Sequence, residues 1–323
     1  MEKLYRANAF MGKHLLWFVM GCVALGLAFP ETFDVLNDCS MPLFAFMTFV
    51  SSLGGGFREL AQVVRRPLPV ITVLLLLHVI LPLMTMASGN LLFPHAPLFT
   101  LGLILAYCIP TGVASLMWSN IAGGNVSLCL SIVLLDTLMS PVVIPVTLKL
   151  LADSSVKMDT MGMMKSMMIM VAIPALIAMT MYQTSGGRVA QTLKPKLDPF
   201  SKITMLLIII GNSTGCAPFL KTMDKTLVLV MAATVVICLV GFFTGYLGGK
   251  LLKQDFPSCQ TMCLNTGMRN ISAGAVLAMQ YFPAEVMFPV AFSPLFLQLV
   301  TAIVVKVMHG TKAGKAWLKE TSN

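Results

Sequence analysis

Apolar segments close to twenty residues long recur along the whole chain, and short polar connections separate them. A helix of about twenty apolar residues spans the hydrocarbon core of a bilayer, so each segment predicts a transmembrane helix. The pattern predicts an all-α integral membrane protein with ten such helices, centred near Val23, Phe46, Leu75, Leu105, Val142, Met170, Ile208, Val235, Arg269 and Val300.

Two of these segments carry a similar interruption. Pro110-Thr111-Gly112 breaks the fourth, and Asn265-Thr266-Gly267 breaks the ninth. A Ser-Pro pair follows each break, at Ser140-Pro141 and at Ser293-Pro294. Backbone that has left a helix cannot face lipid, so these breaks predict a polar cavity near the middle of the membrane.

The two interruptions also indicate an internal repeat, because 155 residues separate their glycines and 153 separate the Ser-Pro pairs. The predicted units are residues 1–155, with helices 1 to 5, and residues 156–323, with helices 6 to 10. An odd number of helices per unit inserts the two copies in opposite orientations. Inverted repeats with broken helices are typical of secondary transporters that work by alternating access.

The composition supports a membrane protein, with 57% hydrophobic and 11% charged residues. Sixteen Lys and Arg residues fall on the side of the predicted termini and five on the other side. The positive-inside rule therefore predicts that both termini are cytoplasmic. The net charge of +9 fits a basic membrane rim, and the basic loops lack the interleaved aromatic residues of a nucleic-acid site.

No catalytic or cofactor motif accompanies these features. The eight cysteines and four histidines show no metal-ligand spacing, and no nucleotide loop or hydrolase triad is present in the sequence. We therefore expect no enzyme, no cofactor and no metal site with a clear ligand set.

Two charged residues, Asp136 and Arg269, lie near the middle of predicted spans. A charge at this depth costs roughly 2.5 to 3.5 kcal/mol on insertion scales, so we expect the two to pair with one another. The pair would line the cavity, with Arg269 available to an anion and Asp136 able to take up a proton. His78, in the third span, is a candidate for a proton path, although a histidine bonded to backbone is the commoner case.

Neutral polar residues cluster at both breaks and supply the remaining binding candidates. Half-helices that end at a break present N–H groups to anions and carbonyl groups to cations. The substrate-binding residues predicted in this way are Thr111, Gly112, Ser115, Asn265, Thr266, Gly267, Arg269 and Asn270.

Four ordered motifs resemble those of the bile acid:sodium symporter family across nearly the whole chain. Residues 110–115 resemble that family's Pro-Gly-Gly-Thr-Ala-Ser, and 124–126 its Gly-Asn-Val. Residues 137–141 resemble its Thr-Leu-Thr-Ser-Pro, and 267–270 its Gly-Met-Gln-Asn. The resemblance implies ten helices in two bundles, a panel of helices 1, 2, 6 and 7 and a core in which helices 4 and 9 are broken and cross. It also implies uptake of an organic anion coupled to sodium.

The chain departs from that family at the positions that the resemblance assigns to sodium binding. Asn265 stands where the family usually has glutamate, Arg269 replaces its glutamine and Leu116 its asparagine. Cys129 and Val133 replace hydroxyl-bearing residues, which leaves Ser115 and Asn265 as the residual sodium candidates. Sodium needs several oxygen ligands, so we predict that the Arg269 guanidinium takes the place of a sodium ion.

The predicted function is secondary active transport of a small organic anion, either independent of sodium or coupled to protons. Three alternatives stay open at this stage: an arsenite-like oxyanion efflux permease favoured only by Cys108, a sodium-coupled symporter with altered sites, and a membrane receptor that does not transport. The expected partners are the organic anion and the lipid bilayer, with no nucleic acid and no obligate protein partner. The expected location is the bacterial inner membrane.

Overall fold

A computed structural model of this chain describes residues 8, 10–12, 14–65, 67–112, 114–152, 158–221 and 223–321, and it is built of helices. Within these ranges the β pairing is a single bridge between Thr111 and Arg269. The predicted boundary between the two halves, at residues 155 and 156, lies outside the described residues.

We number eighteen helices in the described ranges, from α1 to α18. The first nine are α1 Leu15–Ala28, α2 Pro30–Phe33, α3 Val35–Asp38, α4 Ser40–Ser52, α5 Phe57–Arg65, α6 Pro67–Leu92, α7 Pro97–Cys108, α8 Ala114–Ala122 and α9 Val126–Leu151. The others are α10 Thr160–Thr184, α11 Arg188–Thr192, α12 Lys194–Thr214, α13 Ala217–Lys221, α14 Lys225–Leu251, α15 Phe256–Gly267, α16 Ile271–Tyr281, α17 Ala284–Gly310 and α18 Lys312–Thr321.

Five helices in the described part of the chain are long and apolar enough to cross a membrane: α6, α9, α10, α14 and α17. A bent pair of helices, Trp17–Ala28 with Pro30–Asp38, brings the number to six if it counts as one span. The other predicted spans fall short of this test for local reasons. For example, α4 ends just before a run of glycines, and the fourth and ninth segments are each divided in two.

Four helices begin at a side chain that satisfies a free backbone N–H group. Asn125 caps α9, Asp159 caps α10, Asp224 caps α14 and Asp255 caps α15, and each accepts a hydrogen bond from the N–H three residues further on. Such caps contribute about 0.5 to 2 kcal/mol each, and they fix where the helices start.

The long helices pack in two groups. In the first group, α12 packs against α1 and α4, and α4 also packs against α10. In the second, α15 packs on α14, while α7 packs on α6 and on the first half of α17. Contacts of α9 with α10, and of α16 with α12 and α4, join the groups, so α4 lies beside the broken segments.

Candidate transport site

The break in the fourth segment follows from Pro110. A residue before proline is driven to extended backbone, and Ile109, the first residue after α7, has φ −60° and ψ 155°. The chain resumes as α8 at Ala114. In the ninth segment α15 ends at Gly267, Met268 is extended with ψ 136°, and α16 begins at Ile271. The fourth segment is therefore interrupted where the sequence predicts, whereas residues 265–267 of the ninth are still helical and the interruption follows them at residues 268–270.

The two interruptions hydrogen-bond to one another, and we call this contact the crossing, residues 110–112 and 268–270. The Gly112 N–H donates to the Met268 carbonyl at 3.2 Å, and the Asn270 N–H donates to the Pro110 carbonyl at 2.8 Å. A Cβ added at Gly112 would lie 2.8 Å from the Arg269 carbonyl oxygen, so only glycine allows this approach. Backbone groups released by each helix are thus satisfied by the other, as a buried break requires.

One side of the crossing carries a buried group that we call the charged cluster, His78, Asp136 and Arg269. Asp136 Oδ1 lies 2.5 Å from His78 Nε2, and Asp136 Oδ2 accepts the Thr111 N–H at 2.6 Å. Asp136 is fully buried, while Arg269 and His78 are 5% and 8% exposed. The carboxylate is therefore held by a histidine from α6 and by a backbone group that the break has freed.

Arg269 is not bonded as the sequence predicted. No ion pair or hydrogen bond joins it to Asp136 in the described part of the chain, where all three guanidinium nitrogens lack a hydrogen-bond partner. Its charge does interact with Asp136 through space, and its Cζ lies 6.0 Å from the centre of the Tyr107 ring. The expected direct pair is replaced by two neighbouring charges, and the hydrogen bonds of the carboxylate come from His78 and Thr111 instead.

His78 lies in a π-helical turn, Leu76–Ile80, inside α6. Pro82 follows four residues after His78 and has no N–H group to complete the regular helical bond to the His78 carbonyl. Single π-helical turns of this kind are frequent at functional sites. The turn places the imidazole against α9, and its Nδ1 atom has no hydrogen-bond partner among the described residues.

The other group at the crossing is the neutral cluster, Ser115, Cys129 and Asn265. Ser115 Oγ donates to Asn265 Oδ1 at 3.1 Å, and Asn265 Nδ2 lies 3.1 Å from Cys129 Sγ and donates to the Thr261 carbonyl at 2.9 Å. All three cluster residues are fully buried. These side chains satisfy one another, and none of them is a carboxylate.

Thr111 joins the two clusters. Its N–H donates to Asp136, and its Oγ1 donates to the Asn265 carbonyl at 2.8 Å. Thr266 and Gly267 face elsewhere: a Cβ on Gly245 of α14 would lie 2.7 Å from Thr266, and a Cβ on Gly267 would collide with the Phe242 ring. These two predicted binding residues therefore lie in the packing against α14.

A cleft with about 500 Å³ of empty space, part of it open solvent, lies between α4 and the crossing. Its polar lining comes from Thr48, Ser51, Ser52, Thr137 and Asn270. Of the predicted substrate-binding residues, only Asn270 lines it. The other four polar residues were missed as site residues, although Ser51-Ser52 adjoins the glycine run and Thr137 lies in one of the four motifs.

A second, smaller cleft of about 240 Å³, also including open solvent, lies between α12 and the second broken segment. Asn212 and Ser213 of α12, Ser272 of α16 and Pro294 of α17 are among its lining residues. Asn212 Oδ1 is buried there without a hydrogen-bond partner among the described residues. The larger cleft thus adjoins the crossing and the smaller one adjoins α16, and each is lined by a different helix of the first packing group.

Comparison with known proteins identifies relatives of the whole chain. A family model described as the sodium bile acid symporter family matches residues 41–222. The protein YbaS of Bacillus subtilis (strain 168) is 41% identical over 281 residues, which cover 87% of this chain and 92% of that protein. The sodium-dependent transporter YocS of the same bacterium is 25% identical over 87% of this chain and 86% of its own length. The probable chloroplastic sodium/metabolite cotransporter BASS1 of Arabidopsis thaliana is 29% identical over 83% of this chain and 65% of its own length.

Proposed function

Because the chain belongs to the sodium bile acid symporter family, a family of membrane transporters, we propose that it is a secondary active transporter of a small organic anion that needs no bound sodium ion. The observation that carries this proposal is the crossing, where two helix breaks bond to one another beside a cleft with a polar lining. No enzymatic step is part of it.

The choice of an anion rests on the two half-helices that begin at the breaks. Asn270, the residue before α16, lines the larger cleft, and so does Leu116 in the first turn of α8. The first N–H groups of a helix have no partner within it and favour negative charge. Side chains with hydroxyl and amide groups complete the lining, and the described lining contains no carboxylate that would repel an anion. A small monocarboxylate has the charge that this lining favours.

Alternating access is supported by the positions of the two clefts. With cytoplasmic termini, α4 runs inward and ends at Ser52, so the larger cleft opens toward the cytoplasm. In the same topology α12 runs outward, so the smaller cleft, near Asn212, lies toward the outer face. We infer ten spans in two inverted units, residues 1–155 and 156–323, in the bacterial inner membrane. The group containing α1, α4, α10 and α12 would then move against the rest.

Independence from sodium is supported by the composition of both clusters. The neutral cluster offers hydroxyl and amide oxygens that are already bonded to one another, together with a thiol, and it has no carboxylate to balance a cation. The charged cluster already contains a cation, the Arg269 guanidinium, which interacts with Asp136. A sodium ion needs several oxygen ligands, so the residues present do not fit one.

Counterflow in proteoliposomes tests the transport function. Purified protein is reconstituted with unlabelled pyruvate, lactate or propionate inside, and entry of the same labelled anion is followed without any ion gradient. We expect label to accumulate transiently above equilibrium for at least one of the three, and a protein-free liposome to show none. A receptor without translocation gives no counterflow, and that result for all three anions contradicts the proposal.

The oxyanion alternative gains no support from the geometry. Cys108, its one sequence feature, is fully buried, its Sγ donates to the Leu105 carbonyl at 3.6 Å, and it does not line either cleft. Sodium coupling with altered sites remains the alternative that the names of the relatives favour, and the sodium measurement that closes the Discussion addresses it.

A further inference from the structure

The His78–Asp136 contact is a buried acid–base pair that simple anion binding does not use. The two side chains come from α6 and α9, 58 residues apart in sequence, and meet at 2.5 Å. Histidine is the side chain whose charge normally changes near neutral pH, and a carboxylate oxygen at this distance can share the proton that the imidazole nitrogen binds. The pair therefore has the composition of a site for one proton.

Arg269 is the fixed cation of the charged cluster. Besides Asp136, the described titratable groups that interact with its charge are Tyr107 and Cys108 of α7 and Cys238 of α14, which contribute no formal charge. Arg269 at the crossing contributes +1 and Asp136 contributes −1. With a neutral His78 the cluster sums to zero, and one added proton brings it to +1.

We propose, on the premise that the chain transports a small organic anion, that His78 and Asp136 bind one proton for each monoanion carried. The proton is shared between His78 Nε2 and Asp136 Oδ1. It enters from the side that supplies the anion and leaves on the other side together with it. One proton and one monoanion move with no net charge, and Arg269 stays in place as a fixed cation throughout.

The crossing connects the two binding events. Asp136 Oδ2 holds the Thr111 N–H, and a hydrogen bond to an ionised carboxylate is about twice as strong as one to a neutral group. A proton on the pair therefore weakens the attachment of the first break to α9. On the cleft side, the backbone of Asn270 is bonded to Pro110 of the same break. The proton and the anion thus act on one backbone segment.

The charge change also couples the two ligands directly. A cluster that carries +1 attracts an anion across the crossing more strongly than a neutral one. By linkage, the anion must raise the affinity for the proton by the same factor. The apparent affinity for the anion should therefore rise as pH falls, by up to about tenfold per pH unit through the titration of the pair.

His78→Gln is the test variant, because glutamine can still donate to Asp136 but does not take up a proton near neutral pH. His95→Gln is the matched control, since His95 is exposed in the loop before α7. With acid outside, proteoliposomes of the native protein and of His95→Gln should accumulate labelled pyruvate, lactate or propionate above the level of protein-free liposomes. His78→Gln should lose the accumulation driven by the pH gradient, while its melting temperature in detergent stays close to that of His95→Gln.

The outcomes separate this inference from the proposed function. If the native protein shows counterflow but no response to the pH gradient, proton coupling is overturned and anion transport is not. Full accumulation by His78→Gln has the same meaning. Absence of counterflow overturns the proposed function instead.

A measurement without substrate tests the proton site alone. Infrared difference spectra between mildly acidic and alkaline buffer should show imidazole and carboxyl bands in the native protein and in His95→Gln that are missing in His78→Gln. A carboxyl band that is unchanged in His78→Gln would show that the pair does not bind the proton.

Discussion

The two buried clusters at the crossing are stabilised in different ways, although Thr111 contacts both. In the neutral cluster, Ser115, Cys129 and Asn265 bond to one another, and no formal charge needs compensation. In the charged cluster, Asp136 is fully bonded while the Arg269 guanidinium has no hydrogen-bond partner among the described residues. The stability of the neutral cluster depends on the geometry of its hydrogen bonds, whereas the stability of the charged cluster depends on a balance of charges.

The largest effect should come from removing the balancing charge. In Asp136→Asn the Arg269 cation stays buried without a counter-charge, and breaking a buried pair in this way costs about 3 to 5 kcal/mol. We expect low expression and a large fall in melting temperature in detergent.

The double variant Asp136→Asn with Arg269→Gln should recover most of that loss, since neither charge remains. A double-mutant cycle measures the coupling, which we expect to exceed about 1 kcal/mol. Additive losses in the two single variants would show that the charges do not stabilise one another through space.

The backbone contact at the crossing should be the next most sensitive feature. Gly112→Ala places a methyl group 2.8 Å from the Arg269 carbonyl oxygen, which is backbone and cannot move aside cheaply. We expect a loss of about 1 to 3 kcal/mol, as for other overpacked sites, and a fall in counterflow. Gly21→Ala is the matched control, because a Cβ there meets nothing within 4 Å and alanine favours a helix. Equal behaviour of the two variants would mean that the breaks do not touch.

A carboxylate introduced into the neutral cluster sharpens the comparison. In Asn265→Asp an ionised oxygen would lie near Ser115 and Thr111 without a cation, so the variant should be less stable than the native protein in sodium-free buffer. Sodium should then raise its melting temperature by mass action, while the native protein shows no such shift. Melting curves in sodium chloride and in choline chloride measure this shift. If sodium does not raise the melting temperature of Asn265→Asp, a missing carboxylate in the neutral cluster is not what prevents sodium binding.

The smallest effect should follow the loss of one neutral hydrogen bond. Ser115→Ala removes one donor to Asn265 Oδ1, and Thr111 Oγ1, 3.4 Å away, can partly replace it. We expect a loss of about 0.5 to 1.5 kcal/mol and no change in pH dependence. A loss as large as that of Asp136→Asn would remove the distinction between the clusters.

The sequence predicts the first break and the charged residues for reasons that are local, and it places the second break three residues too early. Pro110 ends a helix because the residue before a proline is driven to extended backbone, and Asp136 and Arg269 stand out because a charge within the membrane is costly. Other prolines do not end their helices: Pro141 and Pro145 lie inside α9. The partners of these charges are not predictable in the same way. Each residue along a helix turns the side chain by about 100°, so the choice of His78 and Thr111 over Arg269 as partners of Asp136 depends on the packing of α6 against α9.

The cleft residues show the same limit. Thr48 and Ser52 are ordinary polar residues in an apolar helix, and only the packing of α4 beside the crossing brings them to the same cleft as Asn270. Conversely, the pattern selected Thr266 and Gly267 as part of a predicted break, yet they belong to the last turn of α15 and pack against α14. Proximity in sequence to a broken helix predicts the region of the site but not the direction in which each side chain points.

The requirement for sodium tests the central claim most directly. Counterflow of labelled pyruvate, lactate or propionate is measured in proteoliposomes with sodium chloride or choline chloride on both sides. A guanidinium in place of a bound sodium ion predicts equal initial rates in the two salts. A rate that collapses in choline and returns as sodium is added would contradict the account.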